Sequence, residues 1–195
     1  MSPIRQGNKL PAIEFRGLTV RNDKARVRNR EYAVENLMLR VPRDKRTIML
    51  GGQASGKSTI VSAIEAADKF PGMVSVNAVV LPLSLKDSRD WSTARYRQKY
   101  APGIGPNHFI VVDEPYDQAF EFLLSLPNSM LVFACTDGLD LIDRFDLVVY
   151  LYQGRIVFTG VPKDFFCWAL KANSDLHNDL LLTNIASSFK YKEEH

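Results

Sequence analysis

Residues 51–59 have the types and the spacing of a phosphate-binding loop. They read Gly-Gly-Gln-Ala-Ser-Gly-Lys-Ser-Thr, which is a glycine, four residues and then Gly-Lys-Ser. Glycines let main-chain N–H groups face an anion, and a helix starting after the loop adds partial positive charge. Lys57 is expected to reach the β- and γ-phosphates of a nucleotide and the Ser58 hydroxyl to bind Mg²⁺. The predicted nucleotide-contacting residues are Gly51, Gly52, Ala54, Ser55, Gly56, Lys57, Ser58 and Thr59.

A second group of residues suited to metal and proton chemistry follows an apolar run. Residues 109–112 are apolar and lead into Asp113-Glu114-Pro115. A strand here would bring Asp113 to the C-terminal edge of a sheet, where its carboxylate could hold Mg²⁺. Glu114 could polarise an attacking water as general base. A strand that ends in two acids is common, so its pairing with the upstream loop is what predicts a site. For residues 51–59, the alternative is a phosphate loop that keeps its shape but has lost its ligand.

The elements that must position these residues alternate between strands and helices. Apolar periodicity predicts strands at 12–20, 32–41, 47–50, 74–81, 109–112, 130–134, 147–151 and 156–159. Helices are predicted at 58–69, 117–126, 139–145 and 162–170, within 84–100, and in the tail at 175–189, with a loop at 101–107. The short apolar runs are typical of strands covered on both faces. The predicted fold class is therefore α/β, with a mainly parallel sheet flanked by helices and an N-terminal antiparallel β part.

Length and composition limit the class of protein. The 195 residues are 46% hydrophobic and 24% charged, which is typical of one globular domain. No apolar stretch approaches the roughly 18 residues that span a bilayer, and the first ten residues are polar. Cys135 and Cys167 are expected to be reduced thiols. We therefore expect an intracellular globule rather than a secreted disulfide framework, a membrane span or a disordered chain.

The formal net charge of +3 is unevenly distributed, because residues 1–46 carry +7 and residues 47–195 carry −4. Much of the excess comes from a basic segment at residues 21–30, whose cations are Arg21, Lys24, Arg26, Arg28 and Arg30. Two interpretations stay open: a solvated hairpin loop, or a contact surface for anionic lipid, a phosphorylated ligand or a partner. No aromatic residues interleave with these charges, so we expect no nucleic-acid partner.

The motifs together resemble those of the nucleotide-binding subunits of ATP-binding-cassette (ABC) transporters, over residues 13–170. Asp113-Glu114-Pro115 resembles the second nucleotide motif of that family, and residues 131–160 follow its C-terminal pattern. The resemblance implies ATP and Mg²⁺ as ligands, a P-loop NTPase core, and Tyr32 as an aromatic that stacks on adenine. The alternative for Tyr32 is an ordinary residue at the end of a strand.

Within this family, the sequence is most similar to the ATPase subunits of capsule and other polysaccharide exporters. The similar stretches are Leu81-Pro82-Leu83, Ser88-Arg89-Asp90 and Leu151-Tyr152-Gln153-Gly154-Arg155. The resemblance implies a membrane permease and other export-complex proteins as partners, and a homo- or heterodimer. It also implies a cytoplasmic location, peripheral on the inner face of the membrane.

The chain departs from the family pattern in ways that bear on hydrolysis. Only 56 positions separate Lys57 from Asp113, so we expect a truncated helical subdomain without the Leu-Ser-Gly-Gly-Gln signature. No glutamine follows residues 79–81, and Thr136 stands where the family has a histidine. Binding depends on the phosphate loop and the metal site, whereas hydrolysis depends on groups that stabilise the transition state. The sequence therefore predicts Mg-ATP binding with weak or no hydrolysis.

These observations give a leading hypothesis and two alternatives. The leading one is a degenerate ATP-binding subunit of a polysaccharide or capsule export system. The second is a regulatory or scaffold protein that uses the core as an interaction platform, through the basic segment and the tail. The third is a small P-loop kinase with Arg89, Arg95 and Arg97 as a lid. In each case we divide the domain into an antiparallel β part (1–46), a P-loop core (47–172) and a C-terminal helical tail (173–195).

Overall fold

The computed structural model describes residues 10–22, 30–83, 85, 91–135 and 139–172. The strands in these residues are β1 (Ile13–Arg21), β2 (Tyr32–Val41), β3 (Arg46–Leu50), β4 (Val74–Val76), β5 (Val79–Leu83), β6 (His108–Asp113), β7 (Met130–Ala134), β8 (Leu147–Tyr152) and β9 (Arg155–Gly160). The α-helices are α1 (Lys57–Glu65), α2 (Thr93–Tyr100), α3 (Asp117–Leu124) and α4 (Pro162–Ala172). Short 3₁₀ helices occupy Ala67–Lys69, Ala101–Gly103 and Leu139–Arg144.

The large sheet has the strand order β5-β6-β7-β3-β8-β9. All neighbouring pairs are parallel except β8 and β9, which form an antiparallel hairpin. Every residue of β7 is buried, as are the four central residues of β6 and of β8. Burial on both faces explains why these strands read as unbroken apolar runs, and the predicted parallel sheet is confirmed.

A smaller antiparallel sheet has the order β2-β1-β4 and packs over one face of the large sheet. It confirms the predicted antiparallel β part and corrects the single strand predicted at 74–81. That run forms two strands, since Phe15 of β1 pairs with Val74 while Val79 pairs with His108. At the break, the Asn77 N–H donates to the Ala12 carbonyl. Pro82 does not end β5, because β5 is an edge strand and a missing N–H is tolerated there.

The apolar core consists of two clusters on opposite faces of the large sheet. Ile48 and Leu50 of β3 point into the cluster that also contains buried residues of α2, α3 and α4, whereas Met49 points into the cluster under the small sheet and α1. This alternation is the period of two expected along a strand. The site at the end of β3 therefore rests on a strand that is fixed from both sides.

The helices differ from the predictions mainly at their ends. The helix predicted at 58–69 ends at Glu65, and the region predicted as a helix at 139–145 is a 3₁₀ helix. In the region 84–100, the helix is α2, and its N-cap Ser92 accepts a hydrogen bond from the Arg95 N–H. The predictions for Lys24, Arg26, Arg28, Arg89, Thr136 and the tail lie outside the described residues. Among the described helices, none is long and apolar enough to cross a membrane.

Candidate functional site

The phosphate loop connects the end of β3 to the start of α1 at the C-terminal edge of the parallel strands. A Cβ atom at Gly51 would lie 2.6 Å from both the Leu151 carbonyl oxygen and Ser55 Oγ. Gly56 has a φ of 111°, and a Cβ atom there would lie 2.6 Å from the Ala33 carbonyl oxygen. Two glycines of the motif are therefore required by close packing, and at Gly56 also by a left-handed backbone.

The Lys57 side chain is enclosed by this loop, and only 4% of it is exposed. Its Nζ donates hydrogen bonds to the carbonyl oxygens of Gly51 at 2.6 Å and Gly52 at 3.1 Å. The same Nζ lies 3.5 Å from Oε1 of Glu114. Because a buried ammonium needs oxygen partners, these contacts hold the charge at the position predicted for binding phosphates.

The loop borders a cavity of about 240 Å³, here called the loop cavity. Its lining is Asn22, Arg30, Ala33, Gln53, Ala54, Gly56, Lys57, Ser58, Thr59 and Glu114. The structure thus brings together five of the predicted loop residues and the predicted base. Gly51 and Gly52 contribute through the carbonyls that hold Lys57. Ser55, also in the loop, is buried away from the cavity, and its carbonyl accepts a hydrogen bond from the Gly154 N–H at 2.7 Å.

Ser58 and Asp113, the predicted Mg²⁺ ligands, border a second cavity of about 470 Å³. Asp113 is the last residue of β6, so its position at the sheet edge agrees with the prediction. A hydroxyl and a carboxylate are hard oxygen donors, and Mg²⁺ takes one or two such ligands together with phosphates and water. The donor set therefore fits Mg²⁺. The rest of the lining is Val61, Ser62, Glu65, Pro82, Leu83 and Val111, which includes a hydroxyl and a carboxylate but no amide side chain.

Glu114 follows β6 and has a left-handed backbone with a φ of 47°. Its N–H donates to the Phe133 carbonyl at 2.8 Å, which fixes the turn after the strand. Its side chain is 46% exposed and faces both the loop cavity and the Lys57 ammonium. A carboxylate so placed has access to water, but its charge is engaged by the cation that the phosphates would need.

Tyr32 is half-buried at the start of β2, and it borders a different cavity from the phosphate loop. This side cavity, of about 610 Å³, is lined by Arg30, Glu31, Tyr32, Glu35, Tyr152, Gln153, Arg155 and Val157. Arg30 belongs to both linings. The structure therefore places Tyr32 beside the loop cavity, on the far side of Arg30.

Arg30 is the main site residue outside the predicted nucleotide-contacting set, because the sequence named it only as one cation of the basic segment. Its guanidinium donates to the carbonyl oxygens of Tyr32 (3.0 and 3.2 Å), Ala33 (2.8 Å) and Ala54 (3.1 Å). The sequence offers a weak signal for this role, because Arg30 is the basic-segment residue nearest to Tyr32.

The turn between β8 and β9 also reaches the site. Gln153 and Gly154 both have positive φ angles, 48° and 81°, as the type I′ turn of a two-residue hairpin requires. A Cβ atom at Gly154 would lie 2.6 Å from the Ala33 carbonyl oxygen and 2.8 Å from Arg30 Nη2. Three segments distant in sequence thus meet at Arg30: the start of β2, the phosphate loop and this turn.

Glu35 and Arg155, which both line the side cavity, form an ion pair. Arg155 Nη2 lies 2.7 Å from Oε1 of Glu35. The hydrogen bond from Arg155 lowers the pKa of the Glu35 carboxyl, and the same contact raises the pKa of Arg155. Burial lowers the pKa of the Arg30 guanidinium, an effect that the nearby Glu35 charge opposes. An arginine stays protonated despite such a shift, so the boundary between the two cavities is cationic.

Comparison with known proteins identifies the fold. No family model matches the chain, and no curated protein matches its sequence. The ATP-binding cassette MJ0796, solved as a dimer in a post-hydrolysis state with ADP and phosphate, is 13% identical with a TM-score of 0.55, over 76% of this chain and 98% of that one. CbiO1 from Clostridium perfringens, part of the ABC transporter complex CbiONQ, is 14% identical with a TM-score of 0.54, over 92% and 99% of the two chains.

At these identities the likeness concerns the fold. The chain has the α/β P-loop NTPase fold of ABC ATPases, with a parallel sheet and an antiparallel β part, as the sequence predicted. Between β5 and β6, the described helical structure is α2 and one 3₁₀ helix, in keeping with the expected truncation of the helical subdomain.

Proposed function

We propose that this protein is the Mg-ATP-binding subunit of an ABC-type polysaccharide or capsule export system and that it hydrolyses ATP weakly or not at all. The observation that carries the proposal is the buried Lys57 ammonium, enclosed by a closely packed phosphate loop on an ABC ATPase fold. Phosphate oxygens would offer Lys57 the same kind of partner as the carbonyls that now hold it.

Binding would use the groups already gathered around the loop cavity. Main-chain N–H groups of the loop and the start of α1 would surround the β- and γ-phosphates. Ser58 and Asp113 would hold Mg²⁺, which bridges phosphate oxygens and neutralises their charge. Tyr32 would stack on adenine from the neighbouring side cavity.

Weak hydrolysis is supported by what surrounds the place of reaction. The carboxylate of Glu114, the proposed base, lies 3.5 Å from Lys57 Nζ. Among the described residues that line the cavity beside Ser58 and Asp113, none carries an amide side chain that could orient water. Thr136, in the position expected for a histidine, has no imidazole for the γ-phosphate. Groups that stabilise the transition state supply most of the rate in phosphoryl transfer, so their loss affects turnover more than binding.

The place in an export system is supported by the exporter-like stretches in the sequence and by the fold shared with CbiO1. We propose that the chain pairs with itself or a homologue and is held at the inner face of the membrane by a permease and other export-complex proteins. Fractionation of cells with and without the permease tests this, because the chain should enter the membrane fraction only when the permease is present. Retention in soluble complexes in both cells would favour the scaffold alternative instead.

The nucleotide site itself is tested by titrating purified protein with Mg-ATP and by measuring phosphate release. We expect Lys57→Ala to weaken ATP binding by at least about tenfold, since it removes a charged hydrogen-bond donor from a buried site. Lys69→Ala is the matched control, because Lys69 is exposed at the end of a 3₁₀ helix. Unchanged affinity in Lys57→Ala would count against the site. A wild-type turnover like that of an active transporter ATPase, abolished by Glu114→Gln, would refute the low-activity proposal.

A further inference from the structure

Arg30 has a donor beyond those that fix it. A guanidinium carries five N–H groups. Nε–H and one Nη2–H donate to the Tyr32 carbonyl, the other Nη2–H to Ala33 and one Nη1–H to Ala54. Across the described part of the chain, the second Nη1–H makes no hydrogen bond to protein. The guanidinium is therefore held rigidly by main-chain oxygens with one donor to spare.

The position of Arg30 is as distinctive as its bonding. It lines the loop cavity, which contains Lys57, and also the side cavity, which contains Tyr32. This inference rests on the function proposed above. With ATP bound in that way, the adenine would lie at Tyr32 and the β- and γ-phosphates at Lys57. The part of a nucleotide that joins them is the ribose and the α-phosphate, and only the α-phosphate is anionic.

We propose that Arg30 is a nucleotide-binding residue that contacts the α-phosphate, and that it also positions the phosphate loop through Ala54. The two roles share one side chain. The Arg30 guanidinium is already held by main-chain carbonyls at the start of β2 and in the phosphate loop. Little side-chain freedom is therefore lost when an anion binds, which favours affinity. Ala54 itself has a φ of 58°, so the carbonyl that Arg30 holds belongs to a backbone that needs such support.

The test compares ligands that do and do not contain an α-phosphate. We expect Arg30→Gln to weaken the binding of Mg-ATP and Mg-ADP by about tenfold or more, as for other charge-assisted hydrogen bonds. Magnesium pyrophosphate, which would occupy only the Lys57 end of the site, should lose much less affinity. Arg30→Lys retains the charge without the fork and should recover part of the ATP affinity lost in Arg30→Gln.

The control is Arg40→Gln, which removes the same charge from an exposed arginine beside Glu14 on the small sheet. It should leave the affinities for ATP, ADP and pyrophosphate unchanged.

Equal losses of ATP and pyrophosphate affinity in Arg30→Gln, without rescue by Arg30→Lys, would show that Arg30 acts only through the phosphate loop and would overturn the proposed contact with the α-phosphate. Unchanged ATP affinity in Arg30→Gln would overturn both roles. If Lys57→Ala abolishes ATP binding while Arg30→Gln does not alter it, only this inference fails. If the wild-type protein binds neither ATP nor pyrophosphate, the proposed function fails with it.

Discussion

Single glycines decide whether the phosphate loop can keep its shape. Gly56 combines a positive φ with a neighbouring carbonyl oxygen 2.6 Å from where a Cβ atom would lie. Gly72, at the turn before β4, has a similar backbone, with a φ of 77°, but open space around it. The pair separates two costs that usually occur together, namely backbone strain and steric overlap.

Gly56→Ala should therefore be far more damaging than Gly72→Ala. We expect Gly72→Ala to lower the free energy of unfolding by about 1 kcal/mol, from backbone strain alone. Gly56→Ala adds overlap with main-chain atoms, so a loss of about 2–4 kcal/mol is expected. Urea unfolding of both variants measures the difference. Equal losses would mean that the Ala33 carbonyl moves aside without cost and that the loop is not closely packed against β2.

At the scale of elements, what the sequence predicts depends on whether the pattern is local. The runs of β6, β7 and β8 are apolar because both faces of the sheet are covered, and the sequence places each strand within one residue of its observed ends. The run at 74–81 has the right period, yet periodicity does not say which sheet a strand joins, so its division between two sheets was not predicted.

Arg30 illustrates the same limit within the site. The phosphate-loop motif is contiguous, so the sequence alone reveals it. Arg30 instead forms a hydrogen bond to Ala54, 24 positions away. In the local sequence, only its position next to Tyr32 distinguishes Arg30 from the other cations of the basic segment. Its role exists only because β2 and the β8–β9 turn pack beside the phosphate loop, a tertiary arrangement that residue types do not encode locally.

The ion pair between Glu35 of β2 and Arg155 of β9 joins the two sheets, and its contribution to stability should depend on pH. Because the pKa of Glu35 is lowered in the folded protein, the pair stabilises it above the ordinary glutamate pKa. This contribution is lost as the pH falls through the lowered pKa. Glu35→Gln should thus reduce the urea midpoint slightly at pH 7 and leave it unchanged in strong acid, where wild type and variant converge.

A suitable control for this pair is Glu31→Gln, since Glu31 contacts Arg21 within the β1–β2 hairpin rather than across the sheets, at 3.5 Å. It should alter the midpoint less at pH 7. A Glu35→Gln effect of equal size at both pH values would show that the side chain matters for packing and not for its charge.

In the whole molecule, the two core clusters and the site are joined through β3. β3 carries residues of both clusters and ends in the phosphate loop, which in turn contacts β2 and the β8–β9 turn. A ligand in the loop cavity would therefore lie against Ala33 of β2 as well as against the phosphate loop that follows β3. Binding to the folded state alone must then stabilise the whole domain by mass action rather than a single loop.

Mg-ATP should accordingly raise the unfolding temperature, and weak hydrolysis should make the rise persist. At a concentration 100 times the dissociation constant, the stabilisation is about 2.7 kcal/mol, which corresponds to several degrees for a chain of this size. Thermal unfolding measured at the start and after hours of incubation tests both points. Glu114→Gln should show the same persistent rise as wild type, whereas Lys57→Ala should show much less. A rise that decays in wild type as ADP accumulates, but persists in Glu114→Gln, would instead identify an active ATPase with Glu114 as its base.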